Sequence, residues 1–209
     1  MNLEFLDPFT LSWPDGVFPL GSDSLALGNF ATIRRNWQVC DLGCGSGALL
    51  LLLRRRESSI SLFGIDADPL SAQTARSNLL SNHLDGTILT GDLRDSVLPS
   101  GRFDLVISNP PYFPLHAGKS GGPTRSEETC TLDQLCAAAS RATKNGGRFA
   151  LCHRPERLTD LLTTLRHYDL EPKRMQFAAH SATHPPFLVM VESVRQGKPG
   201  LEILPTLIP

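Results

Sequence analysis

No CxxC pair occurs among the five cysteines, Cys40, Cys44, Cys130, Cys136 and Cys152, and an odd count argues against a disulfide framework, so reduced thiols are expected. Long hydrophobic runs are missing too: the apolar stretch 48–53 is far below the roughly 20 residues that cross a bilayer. No charged, apolar and cleavage-site series opens the chain, and the expectation is a cytoplasmic protein with no membrane partner. Metal-ligand patterns are equally scarce. His180 and His184 have i, i+4 spacing, but they precede Pro185 and Pro186 between two strand-like runs, which reads as a loop, and no metal is expected. Lysine occurs four times against sixteen arginines, and the formal net charge is only −1, so composition alone gives no nucleic-acid footprint. The charge is unevenly spread, however. Residues 1–109 hold eight basic and twelve acidic side chains, and 110–209 hold twelve and nine, or −4 and +3, leaving the second half able to face phosphate.

What is present suits one domain with a small extension: 209 residues, 41% of them hydrophobic, without repeats or low-complexity tracts. Residues 1–37 read as a short N-terminal extension packing on a core domain of 38–209. From residue 38 onward, strand-like runs at 38–42, 61–66, 86–89, 103–108 and 147–153 alternate with helical stretches at 46–55, 69–82, 131–144 and 156–167. That alternation predicts an α/β fold with a parallel sheet covered on both faces, a doubly wound arrangement. Two further runs, 173–179 and 187–194, lie close enough to pair as an antiparallel hairpin, giving a seven-stranded, mostly parallel sheet with a C-terminal antiparallel hairpin. Thr131 with Gln134 predicts a capping box, and Asn145-Gly146-Gly147 a stop for the same helix. The one connection expected to be mobile is 114–128, rich in glycine, serine and charge.

Ligands of open parallel sheets bind outside the carboxyl ends of the strands, so the residues ending each strand belong together. The first ends in Asp41-Leu42-Gly43-Cys44-Gly45-Ser46-Gly47, where glycines permit positive φ and a helix N-terminus follows. Its spacing departs from the GxGxxG dinucleotide fingerprint, and Asp41 is poorly suited to a pyrophosphate but well suited to a cationic ligand. Asp66 ends the second strand, where an acid can accept both ribose hydroxyls. Asp92 ends the third and can accept from an exocyclic amine such as that of adenine. Asp66 or Asp92 alone reads more readily as a turn or helix-cap residue; together the three strand ends suit an adenosine carrying a positive group.

DLGCGSG followed by GIDADP resembles the class I S-adenosylmethionine-dependent methyltransferases over about residues 38–153. The resemblance implies a Rossmann-like sheet closing with a hairpin, and S-adenosylmethionine as cofactor. It also implies that Asp41, Gly43 and Gly45, with Gly47, border the methionine part, Asp66 with Ala67 the ribose, and Asp92 with Leu93 the adenine.

The fourth strand delivers Ser108-Asn109-Pro110-Pro111-Tyr112-Phe113 beside that pocket. Two consecutive prolines rule out helix and make a rigid corner. An sp² amine is a poor nucleophile because its lone pair is delocalised. Asn109 offers a side-chain carbonyl and Pro110 a backbone carbonyl, two acceptors that can take both N–H hydrogens of such an amine and aim its nitrogen. Tyr112 can stack on a flat acceptor group, with Pro111 and Phe113 extending the wall. No dedicated general base is evident. In an arbitrary protein such a corner is usually only structural; behind this cofactor pattern it resembles the NPPY motif of amino-methyltransferases, in which case Asn109, Pro110 and Tyr112 are the catalytic set and Asn109 also borders the cofactor.

That motif is shared by enzymes acting on adenine N6, guanine N2 and the glutamine of release factors. Release-factor enzymes generally carry several dozen helical residues before the first glycine loop, and 37 residues precede Gln38 here, which weighs against that acceptor. Beyond the core, GSDSL through NFA at 21–31, RSE at 125–127, RPERL at 154–158 and GKPGL at 197–201 resemble bacterial tRNA adenine-N6 methyltransferases that modify valine tRNA beside the anticodon. The expectation is therefore an adenine-N6 methyltransferase with tRNA as partner. Arg125 would grip a phosphate or stack on a base, and Arg154, Arg157, Lys173 and Arg174 would line the same edge. Glutamine and guanine-N2 methylation stay open as alternatives, as does a non-catalytic cofactor-binding module; a nicotinamide oxidoreductase ranks below them because of the glycine spacing.

Overall fold

The computed structural model describes residues 2–95, 97–111 and 130–209. Tyr112, Phe113, Arg125 and the 114–128 connection lie outside the described residues. The chain opens with an antiparallel hairpin of β1 (Asn2–Leu6) and β2 (Phe9–Trp13), followed by α1 (Ser22–Phe30). The core then alternates β3 (Gln38–Leu42), α2 (Ala48–Arg56), β4 (Ser61–Asp66), α3 (Pro69–Ser81), β5 (Gly86–Thr90) and β6 (Phe103–Ser108). It continues with α4 (Leu132–Ala142), β7 (Thr143–His153), α5 (Leu158–His167), β8 (Leu170–Ala178), β9 (Leu188–Arg195) and β10 (Glu202–Ile203).

The large sheet has the order β10-β8-β9-β7-β6-β3-β4-β5. Strands β3 to β7 run parallel, β9 is antiparallel to both β7 and β8, and the seven expected strands are joined at one edge by β10, only two residues long. Alternation along each strand sorts the core into two layers. Val39, Leu62, Leu105, Ile107, Ala150 and Cys152 face α2, α3 and the N-terminal segment. Cys40, Ile65, Phe103, Val106, Phe149 and Leu151 face α4 and α5. Helix α2 is buried at every position from Ala48 to Leu53 because β2 and α1 cover the side that the sheet does not. Each such leucine contributes about 1.5–3 kcal/mol relative to exposure.

The capping box forms as expected: Gln134 N donates to Thr131 Oγ1 at 3.2 Å and Thr131 N to Gln134 Oε1 at 3.0 Å. The expected stop does not. Helix α4 ends at Ala142, and Thr143, extended at φ −75° and ψ 138°, already pairs with Phe103. The 145–147 segment instead forms an irregularity in β7, where a Cβ on Gly147 would meet Thr143 Cγ2 at 2.8 Å and Phe103 O at 3.1 Å. β-Branched Thr143 prefers the pleat to another helical turn, and the glycines absorb the register shift.

The hairpin is held to the core by two asparagines one turn apart, Asn78 on α3 and Asn82 at its C-cap. Thr10 N donates to Asn82 Oδ1 at 2.8 Å, and Asn82 Nδ2 to Thr10 O at 2.7 Å. Ser12 N donates to Asn78 Oδ1 at 3.0 Å, and Asn78 Nδ2 to Ser12 O at 2.8 Å. The two carboxamides thus take the place of a neighbouring strand along β2. Helix α1 is tied to the far side through Glu192, fully buried on β9, which accepts from Thr32 N at 2.6 Å, Thr32 Oγ1 at 2.8 Å and Arg148 at 2.7 Å. Among the described residues, no helix is long and apolar enough to cross a membrane.

Candidate functional site

From β3 the chain proceeds outward to β4 and β5 and then returns to place β6 on the other flank of β3, so the sheet's switch point lies between the carboxyl ends of β3 and β6. A cavity of about 760 Å³ opens there.

Its floor is the 43–46 turn. Gly43 N and Cys44 N both donate to Ile65 O, at 2.9 and 3.0 Å, hooking the turn onto the end of β4. Gly45 N donates to Asp66 Oδ2 at 2.7 Å, and Asp68 N to Asp66 Oδ1 at 3.0 Å. Two backbone donors thus fix the Asp66 carboxylate, and each oxygen keeps acceptor capacity toward the cavity. Burial pushes its pKa up, against the lowering effect of those two N–H groups.

Asp41, at the end of β3, is only 1% exposed, and its Oδ1 has no hydrogen-bond partner among the described residues. Burial and the Asp66 charge hold its carboxyl well above the usual range. An orphaned carboxylate oxygen in a cavity wall with a second acid beside it is poised for a cation. The same surroundings push the Cys44 thiol up, so it is no thiolate nucleophile.

Beyond Asp66, Ala67 lines the cavity, and so do Asp92 and Leu93 after β5. Asp92 arrives there already paired: Arg94 N donates to Oδ1 at 2.8 Å, and the Arg94 guanidinium straddles both oxygens. Those bonds hold its carboxyl below the usual range. Gly43 and Gly45 line the cavity, but Gly47 does not. Its φ of +82° starts α2, and a Cβ there would meet Ala75 Cβ at 3.3 Å, so it serves the packing of α2 on α3 rather than the ligand wall.

The cavity continues at the end of β6, the strand beside β3. Ser108 Oγ donates to Leu42 O at 2.7 Å, binding that end to β3. Asn109, Pro110 and Pro111 then line the cavity. The Asn109 carboxamide is gripped on both edges: Nδ2 donates to Ser24 Oγ at 2.9 Å, and Cys152 Sγ donates to Oδ1 at 3.1 Å. Beside it, His153 and Arg154 close the rim, with Arg154 N donating to His153 Nδ1 at 2.9 Å and the Arg154 guanidinium to Phe187 O at 3.2 Å.

Residue-level reasoning passed over Ser24, Cys152 and His153. Ser108 pairs with Leu151, so Cys152 stands next to Asn109, but that neighbourhood exists only once β6 and β7 are known to be adjacent. Arg157 ion-pairs with Asp160, away from the cavity wall, while Lys173 donates to Lys198 O and Arg174 to the Thr32–Glu192 cluster. Of the four expected edge cations, Arg154 alone lines the cavity among the described residues.

The family model described as "methyltransferase small domain" matches residues 19–168. The chain is 34% identical over 169 residues to the tRNA1(Val) (adenine(37)-N6)-methyltransferase of Porphyromonas gingivalis, a match spanning 75% of this chain and 66% of the relative, just under two thirds of its length. Among solved structures, a predicted O-methyltransferase from Agrobacterium tumefaciens superposes with a TM-score of 0.73 at 18% identity, covering 89% of this chain and 86% of that one. The 16S rRNA N2 G1207 methyltransferase of T. thermophilus superposes with a TM-score of 0.66 at 22% identity, covering 90% of this chain and 47% of that one. At those identities the two structures speak for the fold alone.

Proposed function

Because the chain belongs to the methyltransferase small-domain family, we propose that it is an S-adenosylmethionine-dependent N-methyltransferase whose acceptor is the N6 amine of adenine in tRNA, next to the anticodon. The observation that carries this reading is one cavity lined by both an orphaned, buried Asp41 oxygen and the clamped Asn109 carboxamide. When bound, S-adenosylmethionine supplies an electrophilic methyl carbon on a cationic sulfur.

Asp41 and the 43–45 turn attract and seat the cationic methionine end, Asp66 with Ala67 takes the ribose, and Asp92 with Leu93 the adenine. Asp92 keeps lone-pair capacity beside its Arg94 bonds, so an exocyclic amine can still be received. On the acceptor side, Asn109 Oδ1 and the Pro110 carbonyl take the two hydrogens of the amine and present its nitrogen, which is positioning rather than base catalysis. Once nitrogen is methylated its acidity suffices for proton loss to water. Tyr112, Pro111 and Phe113 supply the stacking wall and Arg125 a phosphate or base contact, as the motif implies.

The choice of adenine in tRNA is supported by the activity for which the Porphyromonas relative is named and by the resemblance of the outer motifs to that group. An anticodon loop presents unpaired bases, which lowers the cost of bringing one into a pocket. Such a substrate places the protein in the cytoplasm.

The test is incubation with methyl-labelled S-adenosylmethionine and unmodified tRNA, followed by nucleoside mass spectrometry. N6-methyladenine is expected. Label confined to guanine N2, or to the glutamine of a GGQ-containing protein, would replace this reading; cofactor binding without any turnover would make the chain a binding module.

A further inference from the structure

A primary carboxamide is a near-symmetric fork. Rotation by 180° about its last torsion, which is broad and two-fold, exchanges an acceptor edge for a donor edge at almost no change in shape. An Asn109 that presented its NH2 to an incoming amine would set donor against donor. Something must therefore hold the fork one way round.

Two side chains from distant parts of the chain do so. Ser24, on the first turns of α1 and 85 residues away in sequence, receives one Nδ2 hydrogen at 2.9 Å. Cys152, fully buried in β7 and 43 residues away, directs its thiol at Oδ1 at 3.1 Å. The amide nitrogen meets the strong acceptor, a hydroxyl oxygen, rather than the weak one, sulfur. A carbonyl oxygen has two lone pairs, so one thiol donor does not exhaust its capacity to accept. The helix that carries Ser24 is anchored at its other end: Arg56 donates to Gly28 O, and to Ala31 O at 2.8 Å, and the Arg174 guanidinium lies 4.9 Å over the Phe30 ring.

We infer that Ser24 and Cys152 are positioning residues that lock the Asn109 carboxamide with its oxygen edge toward the acceptor amine, an inference that rests on the amino-methyl transfer proposed above. They act through Asn109 and not on the substrate.

The experiment compares Ser24→Ala and Cys152→Ala with the conservative Ser24→Thr and Cys152→Ser, each alone and, for the alanine variants, on an Asn109→Ala background. Turnover is measured on unmodified tRNA, and folding is checked by the melting-temperature rise on adding S-adenosylmethionine. Expected is a loss of kcat on the order of 10- to 100-fold in each alanine variant, recovery in the conservative ones, and no further loss once Asn109 is gone. Full additivity with Asn109→Ala, or wild-type kcat in both alanine variants, overturns the inference. A readout independent of turnover is the pair of Asn109 side-chain amide signals in 15N-resolved NMR, assigned by their disappearance in Asn109→Ala. If those signals move in both variants while the wild type methylates no adenine, the clamp stands and the acceptor reading falls. If adenine is methylated and the signals stay put, the clamp falls and the acceptor reading stands.

Discussion

Asp66 and Asn109 both line one cavity, and their substitution should separate binding from turnover. Asn109→Ala is expected to lower kcat by about 10² or more with little change in cofactor affinity, whereas Asp66→Ala should chiefly weaken cofactor binding; equal losses in both variants, measured by calorimetry and single-turnover kinetics, would show the roles misassigned. Asp41 gives a pH prediction. Its folded-state pKa is raised by burial and by Asp66, so in the free protein its contribution to stability is full below the unfolded carboxylate pKa and fades as pH rises through the folded value. A cationic ligand favours the charged carboxylate, so binding should expel a proton and tighten with rising pH. Calorimetry in buffers of different ionisation enthalpy checks this, and proton uptake would contradict it. Asp41→Asn should raise the melting temperature of the free protein near neutral pH while weakening the cofactor. At this scale the strand-end acids were readable because each ends an apolar run. Gly47 packs against Ala75 off the cavity lining, and a glycine that serves a ligand and one that serves a helix contact look alike in sequence. Ser24 stood inside the GSDSL stretch without a role of its own and Cys152 was passed over, because the importance of each comes from a neighbour 85 and 43 residues away.

Periodicity located all seven expected strands and the four core helices, but it was silent on the elements whose reasons are tertiary. The N-terminal hairpin exists as a hairpin because Asn78 and Asn82 supply the hydrogen bonds that a third strand would otherwise give, and two polar residues on a helix carry no such message when read alone. Asn78 is 1% exposed and also donates to Ser46 O at 2.9 Å, beside the cavity floor. Asn78→Ala should therefore destabilise by about 1–3 kcal/mol through orphaned backbone groups on β2, seen as a lower denaturant midpoint at unchanged slope. A loss below half of that would mean water replaces the bonds. The end of α4 shows the converse limit, since an Asn-Gly-Gly sequence reads as a stop, yet Thr143 enters the sheet first.

For the molecule as a whole, the order β10-β8-β9-β7-β6-β3-β4-β5 brings the ends of β3, β4, β5, β6 and β7 to one rim. S-adenosylmethionine at 100 times its dissociation constant should thus stabilise the fold by about 2.7 kcal/mol; a melting temperature that rises with NAD instead would refute the cofactor. The rim is closed by partners from both halves of the chain, and Glu192 meets Thr32 across 160 residues of sequence. Breaking that buried junction with Glu192→Ala should cost about 3–5 kcal/mol, because Arg148 and Arg174 lose their counter-charge. During translation, then, the first helix emerges long before the glutamate that will moor it. A nascent polypeptide still lacking β9 already holds the strand-end acids, Asn109, Ser24 and Cys152, but not the glutamate that joins Thr32 to Arg148 and Arg174, so full competence should arrive only as the last hairpin clears the ribosome.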